Sequence, residues 1–193
     1  MKPFKSIMMS KQPVIQIWTA IRDRTPELAK MLDDVDEVVV LERKQLPGGS
    51  VRLVNEWRAT HRLLSSLKSV LGSDSVVWLD HADWSESDWQ CRWRVEPQFL
   101  AGRVRCEGTT SYEPAMGGRG SKITFQGQLE LDYRSRGGAA SLIPSGAAQI
   151  IESIVTVLIP KNFRKIVEAA DRLYTMQTDR GDIAKKQSSL RLR

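Results

Sequence analysis

Two cysteines and two histidines are all that this chain of 193 residues offers to a Cys/His metal centre or a disulfide framework. His61 and His81 stand 20 positions apart on different expected elements, and with Cys91 and Cys106 they make no metal-ligand spacing. The two thiols are expected to stay reduced in the core, and no Ser/His/Asp arrangement can be assembled. The sequence therefore assigns no catalytic residue, no metal and no cofactor. Strong charge is missing too: the net charge is +6, and the segment from Arg180 to Arg193 carries four of those charges, five basic residues against Asp182. The rest is too balanced for a nucleic-acid footprint. No apolar run is long and clean enough to span a membrane. The best stretch, Leu142 to Pro160, is interrupted by Gln149, Glu152 and two prolines. The first residues, through Lys11, break every apolar run before a secretory leader could form, so a reducing cytoplasm is expected.

What the chain does have is strand patterning followed by a long amphipathic stretch. Phe4 to Met9 reads as a first, edge strand. Pro13 and the pair Thr25-Pro26 sit where helices begin. Val14, Ile17, Trp18 and Ile21 form one apolar stripe, and Leu28, Met31, Leu32 and Val35 form the next. Six strand-like segments follow between Val38 and Tyr133, interrupted by an expected helix over His61 to Leu71. The clearest is Trp89 to Glu96, where Trp89, Cys91, Trp93 and Val95 alternate with polar residues. A helix from Ser145 to Tyr174 closes the domain, with Pro160 expected to kink or interrupt it. After about Thr178 the chain turns polar and basic. The expected organisation is a domain over residues 1–178 and a disordered tail over 179–193.

The turns suggest registers. If Gly48-Gly49 form a two-residue loop, Val40 faces Trp57 and Glu42 faces Asn55. A turn centred on Gln98 and Phe99 pairs Trp93 with Val104, Cys91 with Cys106 and Trp89 with Gly108. A loop centred on Gly117-Gly118 pairs Tyr112 with Ile123, Thr110 with Phe125 and Gly108 with Gly127. Facing glycines leave a dent in an apolar sheet face. Gly117-Gly118-Arg119-Gly120 joins two strands, so it reads as a hairpin and not as a phosphate cradle.

Pro13 to Ile21 as a first helix, Leu53-Val54-Asn55-Glu56-Trp57 as an early strand, Gly127-Gln128-Leu129-Glu130-Leu131 as the last strand and Ile150 to Tyr174 as the covering helix follow a recognisable order. Over roughly residues 3–177 this order resembles the helix-grip superfamily, which includes the START lipid-transfer domains, the birch-pollen-allergen-like proteins, the polyketide cyclase/dehydrase-like domains and the coenzyme-Q-binding proteins. The resemblance implies an α+β fold: a curved antiparallel sheet of six or seven strands wrapped around a long C-terminal helix, with two short helices after the first strand. It also implies an apolar cavity. The helix at Arg62 to Leu71 and Pro160 depart from the plainest pattern.

The candidate lining is Asn55, Trp57, Trp89, Trp93, Phe125 and Leu129 from the sheet with Ile150, Ile154, Val157 and Leu158 from the helix. Simple core filling accounts for the same tryptophans equally well. Glu42, expected on the face of Asn55, is the one hint of a buried carboxylate. The expected activity is binding or transport of a hydrophobic or amphipathic small molecule such as a lipid, isoprenoid or polyketide-like compound. The rivals are a cyclase- or dehydratase-like enzyme and a protein that meets RNA, ribosome or membrane through Arg92, Arg94 and the tail. Nucleic acid is not the expected partner, peripheral membrane contact stays open, and oligomeric state is not legible.

Overall fold

The computed structural model describes residues 1–59, 76–98, 104–132, 152, 156–157 and 159–190. Its elements run β1 (Lys2–Ser10), α1 (Val14–Asp23), α2 (Thr25–Ala29), β2 (Val35–Gln45), β3 (Val51–Ala59), β4 (Val77–Ser85), β5 (Gln90–Pro97), β6 (Val104–Ala115), β7 (Gly120–Leu131) and α3 (Ile159–Leu190). The seven strands form one curved antiparallel sheet in the order β1-β7-β6-β5-β4-β3-β2. The first strand thus pairs with the last, and β2 makes the other edge. Alternation along each strand gives the sheet an apolar concave face, which α1, α2 and α3 cover. Among the described residues no helix is long and apolar enough to cross a membrane.

Helix α1 follows Pro13 and buries Ile17, Trp18, Ala20 and Ile21. The Trp18 indole meets Trp84, Trp89 and Tyr112 edge-on, at centroid distances of 4.8, 5.4 and 5.1 Å, and so closes one end of the concave face. Helix α2 is shorter than its apolar stripe suggests, because Val35 begins β2 instead of continuing the helix. The expected helix over 61–71 lies outside the described residues. Pro160 follows Ile159 in α3 and has no N–H to donate to the Thr156 carbonyl. The residues just before it, Thr156 and Val157, are π-helical, the response expected where a proline removes a backbone donor. At its other end α3 continues to Leu190, past the residue-178 limit of the expected domain. Its last residues include Ala184, Lys185, Lys186 and Gln187, good helix formers whose polarity hides the helix from an apolar-stripe reading.

The β6–β7 register is as the turn at Gly117-Gly118 suggests: Tyr112 pairs with Ile123, Thr110 with Phe125 and Gly108 with Gly127. The β5–β6 register differs by four positions, with Trp93 opposite Gly108 and Cys91 opposite Thr110. The connection there is longer than the two-residue turn assumed, and Cys91 and Cys106 no longer face each other. Trp89 lies in the turn before β5, at a φ of 48°, and its carbonyl accepts the Tyr112 N–H. In the first hairpin the turn includes Pro47, Gly48 and Gly49, with φ of 75° and 79° at the glycines. A bulge between Val40 and Glu42 shifts the strands again, so Val40 faces Asn55 and Val38 faces Trp57.

One row of partners crosses the sheet as Leu53, Ala82, Trp93, Gly108, Gly127 and Phe4. The two glycines leave the dent, and Trp93 and Phe4 lean into it from either side with centroids 6.1 Å apart. A Cβ on Gly127 would stand 2.5 Å from Trp93 Cη2 and 2.8 Å from the Glu107 carbonyl oxygen. Part of that clash is with backbone, so rotamer changes cannot relieve it. Gly127→Ala is therefore expected to lower the unfolding free energy by about 2 kcal/mol, against the usual small gain for alanine in a strand. Urea denaturation measures this, and an unchanged midpoint would contradict the packing described.

Candidate functional site

Between the concave face and α3 lies a cavity of about 120 Å³. Three sheet rows build its floor: Trp57 with Trp78, Asn55 with Asp80 and Val95, and Leu53 with Ala82 and Trp93. Strands place these residues on one face because side chains alternate, so every second position from Leu53 to Trp57 and from Trp78 to Trp84 points inward. Ile159, Asn162, Phe163 and Ile166, at helical spacing on α3, form the roof. Phe163 stacks on Phe125 at 4.8 Å, and Phe125 stacks on Trp93 at 4.8 Å, so an aromatic column joins roof to floor. Trp57 and Trp78 stack at 5.9 Å to make the wall toward the β2 edge.

Among the described residues, the one carboxyl group in this lining is Asp80 on β4. It is only partly exposed and lines the hollow. Asn55 Nδ2 donates to its Oδ2 at 3.5 Å, and the Trp57 indole N–H lies near enough to favour the charged form. Burial outweighs both and raises its pKa from 3.8 to about 6. No Lys or Arg among the described residues compensates it. Burial also pushes the Cys91 thiol and the Tyr112 hydroxyl well up, and Cys106 up to about 12, so these neighbours stay neutral.

Five further polar atoms on the lining are buried without a well-formed hydrogen bond among the described residues: Trp57 Nε1, Trp84 Nε1, the Tyr112 hydroxyl, Asn55 Oδ1 and Asn162 Oδ1. An unmade buried bond costs about 1–3 kcal/mol, so these atoms are open to a water or a ligand entering the hollow. By contrast Trp93 Nε1 is satisfied, donating to Thr110 Oγ1 at 3.2 Å.

Of the residues expected to line the site, Asn55, Trp57, Trp93 and Phe125 surround the cavity. Leu129 is buried on the same face but away from it, and Trp89 packs on Trp18. Val157 is 61% exposed, and Ile150, Ile154 and Leu158 lie outside the described residues. Glu42 is exposed on the outer face, because the bulge beside it turns it away from Asn55. The buried carboxylate is Asp80 instead. Its signal in the sequence is the alternation Trp78, Asp80, Ala82, Trp84, which places an aspartate where an apolar residue belongs.

Asp80 makes stability depend on pH. Its folded pKa is above the unfolded one, so its contribution is fully present below 3.8 and is lost as pH rises through about 6. Asp80→Asn keeps the shape without the charge. It should match the wild type near pH 4 and exceed it by up to about 3 kcal/mol above pH 7, as read from urea unfolding across that range. A variant equally or less stable above pH 7 would contradict an uncompensated buried charge.

No family model and no curated protein sequence matches this chain. Solved structures do. TTHA0849 from Thermus thermophilus is 17% identical with a TM-score of 0.59, over 88% of this chain and 94% of that one. The Zhui aromatase/cyclase from Streptomyces sp. R1128 is 15% identical with a TM-score of 0.63, over 89% and 94%. Ara h 8.0201 is 15% identical with a TM-score of 0.55, over 89% and 95%. At such identities the likeness is one of architecture, and together with the sheet order and the covering helix it establishes that this chain has the helix-grip fold.

Proposed function

We propose that this chain binds an apolar or amphipathic small molecule, of the lipid, isoprenoid or polyketide-like kind, in the cavity between the sheet and α3. The observation that carries this reading is the gathering of five buried polar atoms without a well-formed hydrogen bond on an otherwise aromatic and aliphatic lining. Packed cores leave few such groups unpaired, Trp18 Nε1 being one outside this lining, whereas ligand pockets combine apolar walls with a few convergent polar atoms. Cavities of about 150 Å³ take up benzene, so about 120 Å³ suits a single ring or a short branched chain as the buried anchor of the ligand.

A cyclase- or dehydratase-like reaction is the second reading, favoured by Asp80, a buried carboxyl group near the range where general acids and bases work. The outer face offers less to a nucleic acid or membrane. Arg52 pairs with Asp83 at 2.6 Å, Arg92 lies near Asp83 and Arg94 near Glu107, so the sign there is mixed.

Toluene is a probe of suitable size. NMR titration is expected to shift resonances around Ala82, Trp93 and Phe163. Ala82→Leu, which fills the floor, should abolish those shifts while the variant stays folded. Toluene shifts that persist in Ala82→Leu, or that never appear in the wild type, would overturn the assignment of the cavity.

A further inference from the structure

Among the described residues, the buried lining holds an acidic group and aromatic rings but no cation. Asp80 takes a hydrogen bond from Asn55, and among the described residues no Lys or Arg stands near enough to balance it. The basic groups of β3 and β5 beside β4 lie on the outer face, where Arg52, Arg92 and Arg94 meet Asp83 and Glu107 across the thickness of the sheet. On the inner face the titratable neighbours are Cys91 on β5 with Cys106 and Tyr112 on β6, all neutral. From α3 come Asn162, Phe163 and Ile166, and from the α1–α2 corner Ile21 and Thr25. None of these supplies a positive charge. Beside Asp80, Asn55 turns its amide N–H toward the carboxylate, which leaves its Oδ1 as a second buried acceptor without a donor. Two acceptors side by side call for a group that donates several hydrogen bonds. The stacked Trp57 and Trp78, with Trp84 and Trp93, provide indole surfaces of the kind that attract organic cations.

We infer that the ligand is an amphipathic organic ammonium compound, whose cationic head pairs with Asp80 and Asn55 Oδ1 while its ring-sized apolar part lies against Trp57, Trp78 and Trp93. This rests on the reading of the cavity as a ligand site, and it names the charge that the occupant brings. An anionic ligand is disfavoured by the same carboxylate. A hydroxyl head would satisfy one acceptor and leave the charge unbalanced.

Three probes built on one benzyl group separate the possibilities: toluene, benzyl alcohol and benzylamine, titrated into the full chain by NMR or calorimetry. At about pH 7.5 benzylamine should bind roughly tenfold or more tightly than benzyl alcohol, the margin of a charge-assisted hydrogen bond. The preference should fall as the pH is taken to about 5, where Asp80 is largely protonated and benzylamine stays charged. Asp80→Asn should lose the preference while still binding toluene, which shows that the cavity survives. Equal affinity for amine and alcohol in the wild type, or an amine preference that persists in Asp80→Asn, would overturn the inference and leave the apolar site standing. Failure of all three probes to bind would overturn the site itself.

Discussion

The distance between α3 and the sheet is set by the size of the side chains along the helix. Toward the C-terminal side Val167, Ala169 and Ala170 are buried and small, so the helix backbone comes close to the neighbouring elements. Asp171 fixes that end: it accepts from the Ser10 hydroxyl and the Lys11 amide where β1 ends, and Tyr174 donates to the Gln16 carbonyl on α1. One turn earlier the residues are larger. Phe163 stands on Phe125 and holds the start of the helix away from Asp80. Between Phe163 and the sheet lies the hollow, and Trp18 packs on Trp84 and Tyr112 on the α1 side of it. The cavity is what remains.

Charge is divided between the two faces of the sheet in a way that gives this remainder its chemistry. The outer face pairs its charges in water, with Arg52 on Asp83, Arg105 on Glu107 and Lys122 on Glu113, exchanges that contribute little to stability individually. Among the described residues the cavity lining carries a single carboxyl group. An aspartate in that position is costly to the empty fold, and asparagine would fill the same space more cheaply. Its presence makes sense if an occupant supplies the missing charge or donors, and the unpaired atoms around it point the same way.

The parts of this arrangement that can be read from the sequence are those fixed by period and by turn chemistry. Two-residue alternation places Asn55, Trp57, Trp93 and Phe125 on the inner face. The glycines at 117 and 118, with φ of 64° and 84°, pin the β6–β7 register and with it the Gly108–Gly127 dent. Registers fail where loop length carries no signal. No glycine pair marks the β5–β6 connection, and the bulge at Val40–Glu42 leaves no trace in composition, so turn counting alone puts Glu42 on the wrong face. Asp80 escapes for a different reason. Taken as a run, its strand is merely mixed in polarity, and the aspartate stands out only when the inward series Trp78, Asp80, Ala82, Trp84 is weighed by face. Phe163 and Asn162 cannot be placed from their stripe alone, because the offset of α3 over the sheet depends on the sizes of residues at its far end.

The hollow beneath the start of α3 is the proposed seat of a small molecule. Native mass spectrometry of protein purified from cells without denaturation tests this most directly. A discrete noncovalent adduct of small-molecule mass that disappears when the protein is unfolded is expected. Protein that carries only its own polypeptide mass, and that gains none when offered a mixture of small amphipathic amines, would contradict it.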